Sequence, residues 1–432
     1  MTHPAFAPGI SFEPYWWEAA PPVELAPVDL PASVDVAVVG AGYTGLSAAL
    51  ALARAGRRVL VLEREDAGRG ASSRNQGQIG ALFKRSYASM AAAYGPARAA
   101  AVYREGHAAV EFTKDFIGRE QIRCGLERSG RFVAAYRRRD YESLARELEV
   151  LRRAVGYEAD MVPRAEQHRE VGSDVFFGGQ VRHTDASLHG ALYQKGLLER
   201  ALAAGATIAA RTEATAVARE RDGFTLGTPK GTVNARHVLV ATNAQTGPLT
   251  PWLARRVIPI GAYGIATEPL PPELIRRVVP AMRPINDTRK LIFSIRPSPD
   301  HTRLIFGGRA SLAGRDLART GARLFEVMVR EFPALEGVRV THSWMGHVAF
   351  TFQFLPHIGA VDGLHYVAGC CGSGIALMTY LGHKAALRIM GSPEGATAFD
   401  DLPFETRPLY HGAPWFLPPA YLYYRLIDGL PR

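Results

Sequence analysis

The stretch from Val34 to Glu63 constrains the fold more tightly than any other part of the sequence. Val34, Val36, Val38 and Val39 form a β-branched run suited to a strand buried in a parallel sheet. Gly40, Gly42 and Gly45 follow at once and spell G-x-G-x-x-G. The three glycines serve different ends, namely a tight turn, room for a pyrophosphate, and close helix–strand packing. Ala48, Ala49, Leu50 and Leu52 predict a helix whose positive dipole end faces the phosphates, and Gly56 stops it as a C′ glycine. Arg58 to Leu62 predicts the next strand. Glu63 closes it, a carboxylate about 20 residues past the glycines and suited to the ribose hydroxyls of an adenosine. A glycine pattern alone carries little. The complete strand–turn–helix–strand–acid unit predicts a dinucleotide site, without choosing between NAD and FAD.

At 432 residues the chain exceeds the size at which single cores stop growing, so two joined domains are expected. The net charge is +10, yet only six of the 51 basic residues are lysines. The arginines are scattered in short groups such as Arg137-Arg138-Arg139, with no long tract interleaved with aromatics. This argues against a nucleic-acid partner and leaves a basic field that draws in anions. Cys124, Cys370 and Cys371 have neither disulfide-framework nor metal-site spacing, so no metal is expected and a reducing compartment fits. Met1 to Pro22 lacks the basic start and apolar core of a signal peptide, and no run of 18 apolar residues occurs. A cytoplasmic protein without a membrane span is expected.

Residues 1–33 are proline-rich and carry Phe12, Tyr15, Trp16 and Trp17, which predicts an irregular arm packed on the body. After Glu63, Gly70-Ala71-Ser72-Ser73-Arg74-Asn75-Gln76-Gly77-Gln78 is a small, polar loop able to press its backbone on a flat ligand. Helical spacing marks Pro96–Arg119 and Glu142–Val155, with Arg131–Tyr136 as a strand between them. Asp185 or Ser187 is placed to cap a helix running to Ala204. Thr215–Val217, Phe224–Leu226 and Val233 read as a small meander, and His237–Ala244 as a strand returning to the parallel sheet. Val257–Ile260, Lys290–Arg296 and Arg303–Arg309 predict a second sheet, covered by a helix over Thr320–Phe332. Gly372-Ser373-Gly374 opens a second turn–helix unit. The expected organisation is α/β: a discontinuous Rossmann-like nucleotide-binding domain (34–95, 165–250 and 346–400) and an inserted substrate domain with a mixed or antiparallel sheet (96–164 and 251–345). An aromatic tail (401–432) completes the chain and is expected to pack on it.

Four segments carry a family resemblance: Val-Val-Gly-Ala-Gly-Tyr-Thr-Gly-Leu-Ser-Ala-Ala (38–49), Gly-Ala-Ser-Ser-Arg-Asn-Gln-Gly-Gln (70–78), Trp-Met-Gly-His-Val-Ala-Phe-Thr (344–351) with Leu-Pro-His-Ile-Gly (355–359), and Gly-Cys-Cys-Gly-Ser-Gly-Ile-Ala (369–376). They resemble the FAD-dependent oxidoreductases of the D-amino-acid oxidase superfamily, in the glycine and sarcosine oxidase branch. The nearest likeness is to the γ-glutamylputrescine oxidase-like group. The resemblance implies FAD. It implies a cofactor set of Gly40, Ala41, Gly42, Tyr43, Thr44, Gly45, Glu63, Arg64, Gly70, Ala71, Ser72, Ser73, Arg74, Asn75, Gln76, Gly77, Gln78, Val217, Ala241, Gly372, Ser373, Gly374 and Ile375. Val217 would meet the adenine through its backbone, and the 372–374 turn would aim a helix start at the pyrimidine edge of the flavin. Negative charge that develops there on reduction is stabilised by such N–H groups. The chain departs from the family at Gln76, where glycine is frequent, and at Gln353, where an acid is frequent. Gly346 stands where some relatives attach flavin to a cysteine, so the FAD is expected to be non-covalent. Ile305 stands where some relatives carry a lysine that speeds reaction with oxygen.

The chemistry implied is amine or amino-acid oxidation: hydride transfer from the C–H beside nitrogen to flavin N5, hydrolysis of the imine, and reduction of O2 to H2O2. A dehydrogenase feeding a quinone or another carrier, and a non-catalytic flavin-binding subunit, are the alternatives. Orientation and a dry cavity do most of the work in such chemistry. Trp344, His347, Phe350 and His357 are the residues expected around the flavin face, with Arg296 and Arg309 as candidates for gripping a substrate carboxylate.

Overall fold

The computed structural model describes residues 3–81, 83–309 and 316–429, so the last three residues of the expected tail lie outside the described part. The nucleotide unit forms as its pattern requires. Ser33–Val39 runs parallel to Val59–Leu62 on one side and to Gly231–Val240 on the other, and Thr207–Ala209 extends the sheet beyond Val59–Leu62. Leu364–Ala368 also runs parallel to the end of Gly231–Val240. Val36, Ala37, Val38, Leu60 and Val61 have no exposed surface, as expected for strands covered on both faces. The helices Tyr43–Arg54 and Gly374–Ile389 pack closely on one another. A Cβ at Gly382 would come within 2.3 Å of the Thr44 carbonyl oxygen, and Ser47 donates its hydroxyl to the Thr379 carbonyl at 2.8 Å.

The meander and the returning strand are one structure. Gly231–Val240 starts as the third arm of the meander with Ala216–Glu220 and Gly223–Thr228, then continues into the parallel sheet. The second sheet has nine strands and is mixed: its centre is antiparallel, with parallel pairings of Phe6–Ser11 to Val340–Phe350 and of Ile285–Asp287 to Arg131–Ala134. The arm expected to be irregular therefore contributes an edge strand, a position that tolerates Pro8. The Leu317–Glu331 helix lays Leu324 and Met328 into the core beneath this sheet.

Two local expectations are corrected. The Gly190–Ala203 helix is capped by His189, whose Nδ1 accepts the Leu192 N–H at 3.2 Å. Asp185 instead faces Arg131 at 3.1 Å, and Ala186–Ser187 pairs with Gln78–Ile79. The strand expected over Lys290–Arg296 spans Phe293–Pro297, because the Lys290 and Leu291 N–H groups donate to the Asp428 carboxylate at 3.0 and 2.9 Å.

Candidate cofactor and substrate site

A cavity of about 800 Å³ runs from the glycine turn after Ser33–Val39 to the inner face of the nine-stranded sheet. At its first end the walls are bare backbone. Gly40, with φ +106°, turns back under Ala241, and a Cβ at Gly45 would sit 1.9 Å from the Gly40 carbonyl oxygen. Only glycine satisfies both demands. At Gly70 and Gly372, which also line the cavity, an added Cβ would meet nothing within 4 Å. Glu63 reaches the same end. Its Oε2 accepts the Ala41 N–H at 2.8 Å and its Oε1 the Glu65 N–H at 3.1 Å, while burial raises its pKa. At the far side Gly372, Ser373, Gly374 and Ile375 bring the start of the Gly374–Ile389 helix to the cavity, with no acidic residue in its first turn. A volume of this size, glycine walls and a helix start free of acids fit an FAD.

The 70–78 loop forms the middle wall and is fixed from behind. Trp16 donates its indole N–H to the Asn75 carbonyl at 2.8 Å, Trp17 to Ser73 Oγ at 2.9 Å, and Trp344 to the Arg74 carbonyl at 2.9 Å. Arg296, fully buried, donates to the carbonyls of Gln76, Gly77 and Leu188 at 3.2, 2.8 and 3.0 Å. Burial pulls its pKa down to about 10. Gly77, at φ +66°, leaves room for that guanidinium.

The part of the cavity under the nine-stranded sheet is lined by Tyr263, Asn286, Ser294, Arg309 and Lys84, with Met345 and His347 beside it. The Arg309 guanidinium lies 4.6 Å over the Phe350 ring. Lys84 lines the cavity, its side chain exposed to the open space and ringed by protein beyond it. Burial, helped by the nearby Arg309 charge, pulls its ammonium pKa down to about 8. Neither Lys84 nor Arg309 makes an ion pair among the described residues. Asn286 Oδ1 and Gln76 Oε1 are buried acceptors without a protein partner, so this chamber offers two cations and two open hydrogen-bonding positions. Burial lowers the pKa of His347, so it is neutral at pH 7, with its Nδ1 3.5 Å from Gln245 Nε2.

Most of the sequence-derived set lines the cavity: Gly40, Ala41, Gly42, Tyr43, Thr44, Glu63, Arg64, Gly70, Ala71, Ser72, Arg74, Asn75, Gln76, Gln78, Ala241, Gly372, Ser373, Gly374, Ile375, His347 and Arg309. Others stand behind that lining. Gly45, Ser73, Gly77, Trp344 and Arg296 form or fix the walls, and Phe350 supports Arg309. Val217 lies in the meander opposite Leu226, and the cavity is lined there by Glu213, Ala214 and Thr215 instead. His357 is stacked 3.8 Å from the Phe404 ring outside the lining, and burial pushes its pKa down to about 3. Sequence reasoning missed Lys84, Tyr263 and Asn286, which belong to no motif. The available signal for Lys84 was the scarcity of lysine in an arginine-rich chain.

The family profile for FAD-dependent oxidoreductases (DAO) matches residues 35–388. Gamma-glutamylputrescine oxidoreductase of Escherichia coli strain K12 is 31% identical over 371 residues, covering 85% of this chain and 86% of its own. Among solved structures, glycine oxidase from Geobacillus kaustophilus superposes with a TM-score of 0.71 at 23% identity, covering 88% of this chain and 99% of the other. The L-amino acid deaminase of Proteus vulgaris, lacking its specific insertion, gives 0.71 at 19% identity, with 90% and 96% covered. These two establish likeness of fold. Profile, relative and fold agree with the cavity: this chain belongs to the DAO family of FAD-dependent oxidoreductases.

Proposed function

We propose that the chain oxidises the C–N bond of an amine or amino-acid-like substrate to an imine, which water hydrolyses, and that O2 takes the electrons and leaves as H2O2. FAD, held non-covalently, supplies the two-electron acceptor for a hydride from the carbon beside nitrogen. The observation that carries this reading is the continuity of the cavity. Its glycine-walled half, with Glu63 at one end and the Gly372–Ile375 turn at the other, opens directly into the Lys84–Tyr263–Asn286–Arg309 chamber.

Glu63 and the backbone of Gly40–Thr44 hold the adenosine end, and the start of the Gly374–Ile389 helix stabilises negative charge at the other. Tyr263 and the sheet behind it exclude water. Lys84 and Arg309 orient a substrate that bears a carboxylate besides its amine. Non-covalent binding is supported by two observations. Gly346 carries no side chain to react, and burial pushes the Cys371 thiol up to about 12.

Anaerobic addition of a panel of primary amines, N-methyl amino acids and D-amino acids to the purified yellow protein tests the reading. At least one class bleaches the flavin absorbance; if none does, amine oxidation is the wrong chemistry. A second reading, a dehydrogenase feeding a carrier, draws support from Ile305. It is fully buried beside Trp16 and Trp344 and puts no cation where some relatives have one. Peroxide yield per turnover in air separates the two: near one for the oxidase, near zero for the carrier-linked enzyme.

A further inference from the structure

Nine large hydrophobic side chains are exposed among the described residues, and five of them fall between 409 and 426: Leu409, Trp415, Leu422, Tyr423 and Leu426. Leu422, Tyr423 and Leu426 belong to the Leu417–Gly429 helix, which buries none of its residues fully. A spacing of four places Leu422 and Leu426 on one face, and the exposed Trp415 lies in the turn that leads into the helix. Trp415 donates its indole N–H to the Leu409 carbonyl at 3.2 Å, so those two side chains extend the stripe.

The other side of this helix is seated on the protein. Arg137 donates to the Ile427 carbonyl at 2.5 Å, Asp428 accepts the Lys290 and Leu291 N–H groups, and Tyr424 is near enough to Arg309 to act on its charge. The outer stripe therefore belongs to a helix that is held in place and has no cover. Cations predominate near the C-terminal end of the helix, where Arg137 and Lys290 meet it. Lys290, Arg139 and Arg425 are exposed and make no ion pair among the described residues, while Arg138 is paired with Glu142. The one nearby acid of the helix, Asp428, is engaged by the two backbone N–H groups.

An apolar stripe with tryptophan and tyrosine, on a helix with unpaired cations at its C-terminal end, is the composition of a helix that lies in a lipid headgroup layer. A second copy of the chain is a poorer occupant, because a two-fold contact would bring the same cations together. We propose that the outer face of the Leu417–Gly429 helix, with Leu409 and Trp415, docks on the surface of a membrane containing anionic lipid, without crossing it. Leu291, which this helix anchors, precedes Ile292 of the cavity wall. The docking helix is thereby tied to the segment that lines the cavity at Ile292.

Flotation of the full-length, flavin-loaded protein with vesicles tests this. With phosphatidylcholine vesicles containing phosphatidylglycerol the protein floats; with phosphatidylcholine alone it stays at the bottom, and added salt weakens the first result. The double change Leu422→Ser and Leu426→Ser lowers partitioning by about tenfold or more while flavin absorbance and amine bleaching persist. Arg425→Glu, which leaves the stripe intact and serves if the double variant misfolds, lowers it by roughly fivefold or more. The proposal is overturned if the wild-type protein fails to float with anionic vesicles, or if neither variant floats less than it does. It is equally overturned if light scattering shows a dimer that the serine pair dissolves.

Discussion

Glu63 lines the cavity and at the same time engages the Ala41 and Glu65 N–H groups, so it shapes the glycine turn that it helps to complete. Glu63→Ala removes charge-assisted hydrogen bonds worth about 1.5–3 kcal/mol, so FAD affinity should fall roughly 10- to 100-fold in a titration of the apoprotein. An unchanged Kd would remove Glu63 from the site. Lys84 makes a different prediction. Its pKa is lowered to about 8, so it is charged below that pH and loses its charge as pH rises through it. Affinity for a carboxylate-bearing ligand should be level below pH 8 and decline above it, read from the flavin spectral change on binding. Lys84→Met should weaken such ligands by about tenfold and flatten the pH profile, leaving amines without a carboxylate unaffected. A pH profile that survives in the variant would assign the titration to another group.

The elements differ in how far the sequence disclosed them. The nucleotide unit is local: strand, turn, helix, strand and acid all lie within Val34–Glu63, and each depends on a spacing visible in the chain. The proposed substrate chamber has no such pattern. Lys84, Tyr263, Asn286 and Arg309 come from four separated segments that only the folded sheet brings together. The two candidate arginines look alike in sequence, yet Arg296 is drawn behind the loop by three carbonyls and Arg309 reaches the cavity. His357 shows the same limit, since its stacking partner Phe404 is distant in the chain. Glycines can also be ranked at this scale. Gly45→Ala would press a Cβ to 1.9 Å from backbone oxygen and should cost about 3 kcal/mol or more. Gly56→Ala, at φ +74° with open space around it, should cost about 1 kcal/mol. Urea denaturation of both variants checks the order, which reverses if the turn after Ser33–Val39 can open freely.

At the scale of the molecule, two cores meet at one cavity. The parallel sheet and its helices make one, the nine-stranded sheet and the Leu317–Glu331 helix the other. The 70–78 loop lies between them and is gripped from both: Trp16 and Trp17 come from the arm, Trp344 and Arg296 from the nine-stranded sheet. That grip has an optical consequence. Three of the five tryptophans of the chain hydrogen-bond directly to the wall of the proposed flavin site. Indole emission overlaps flavin absorption, so energy transfer should quench most of the ultraviolet fluorescence as FAD is titrated into apoprotein, with a break at one equivalent. Emission that stays constant while FAD co-elutes with the protein would place the cofactor elsewhere. The side chains that pin the loop thus make the chain its own gauge of cofactor occupancy, readable without any substrate.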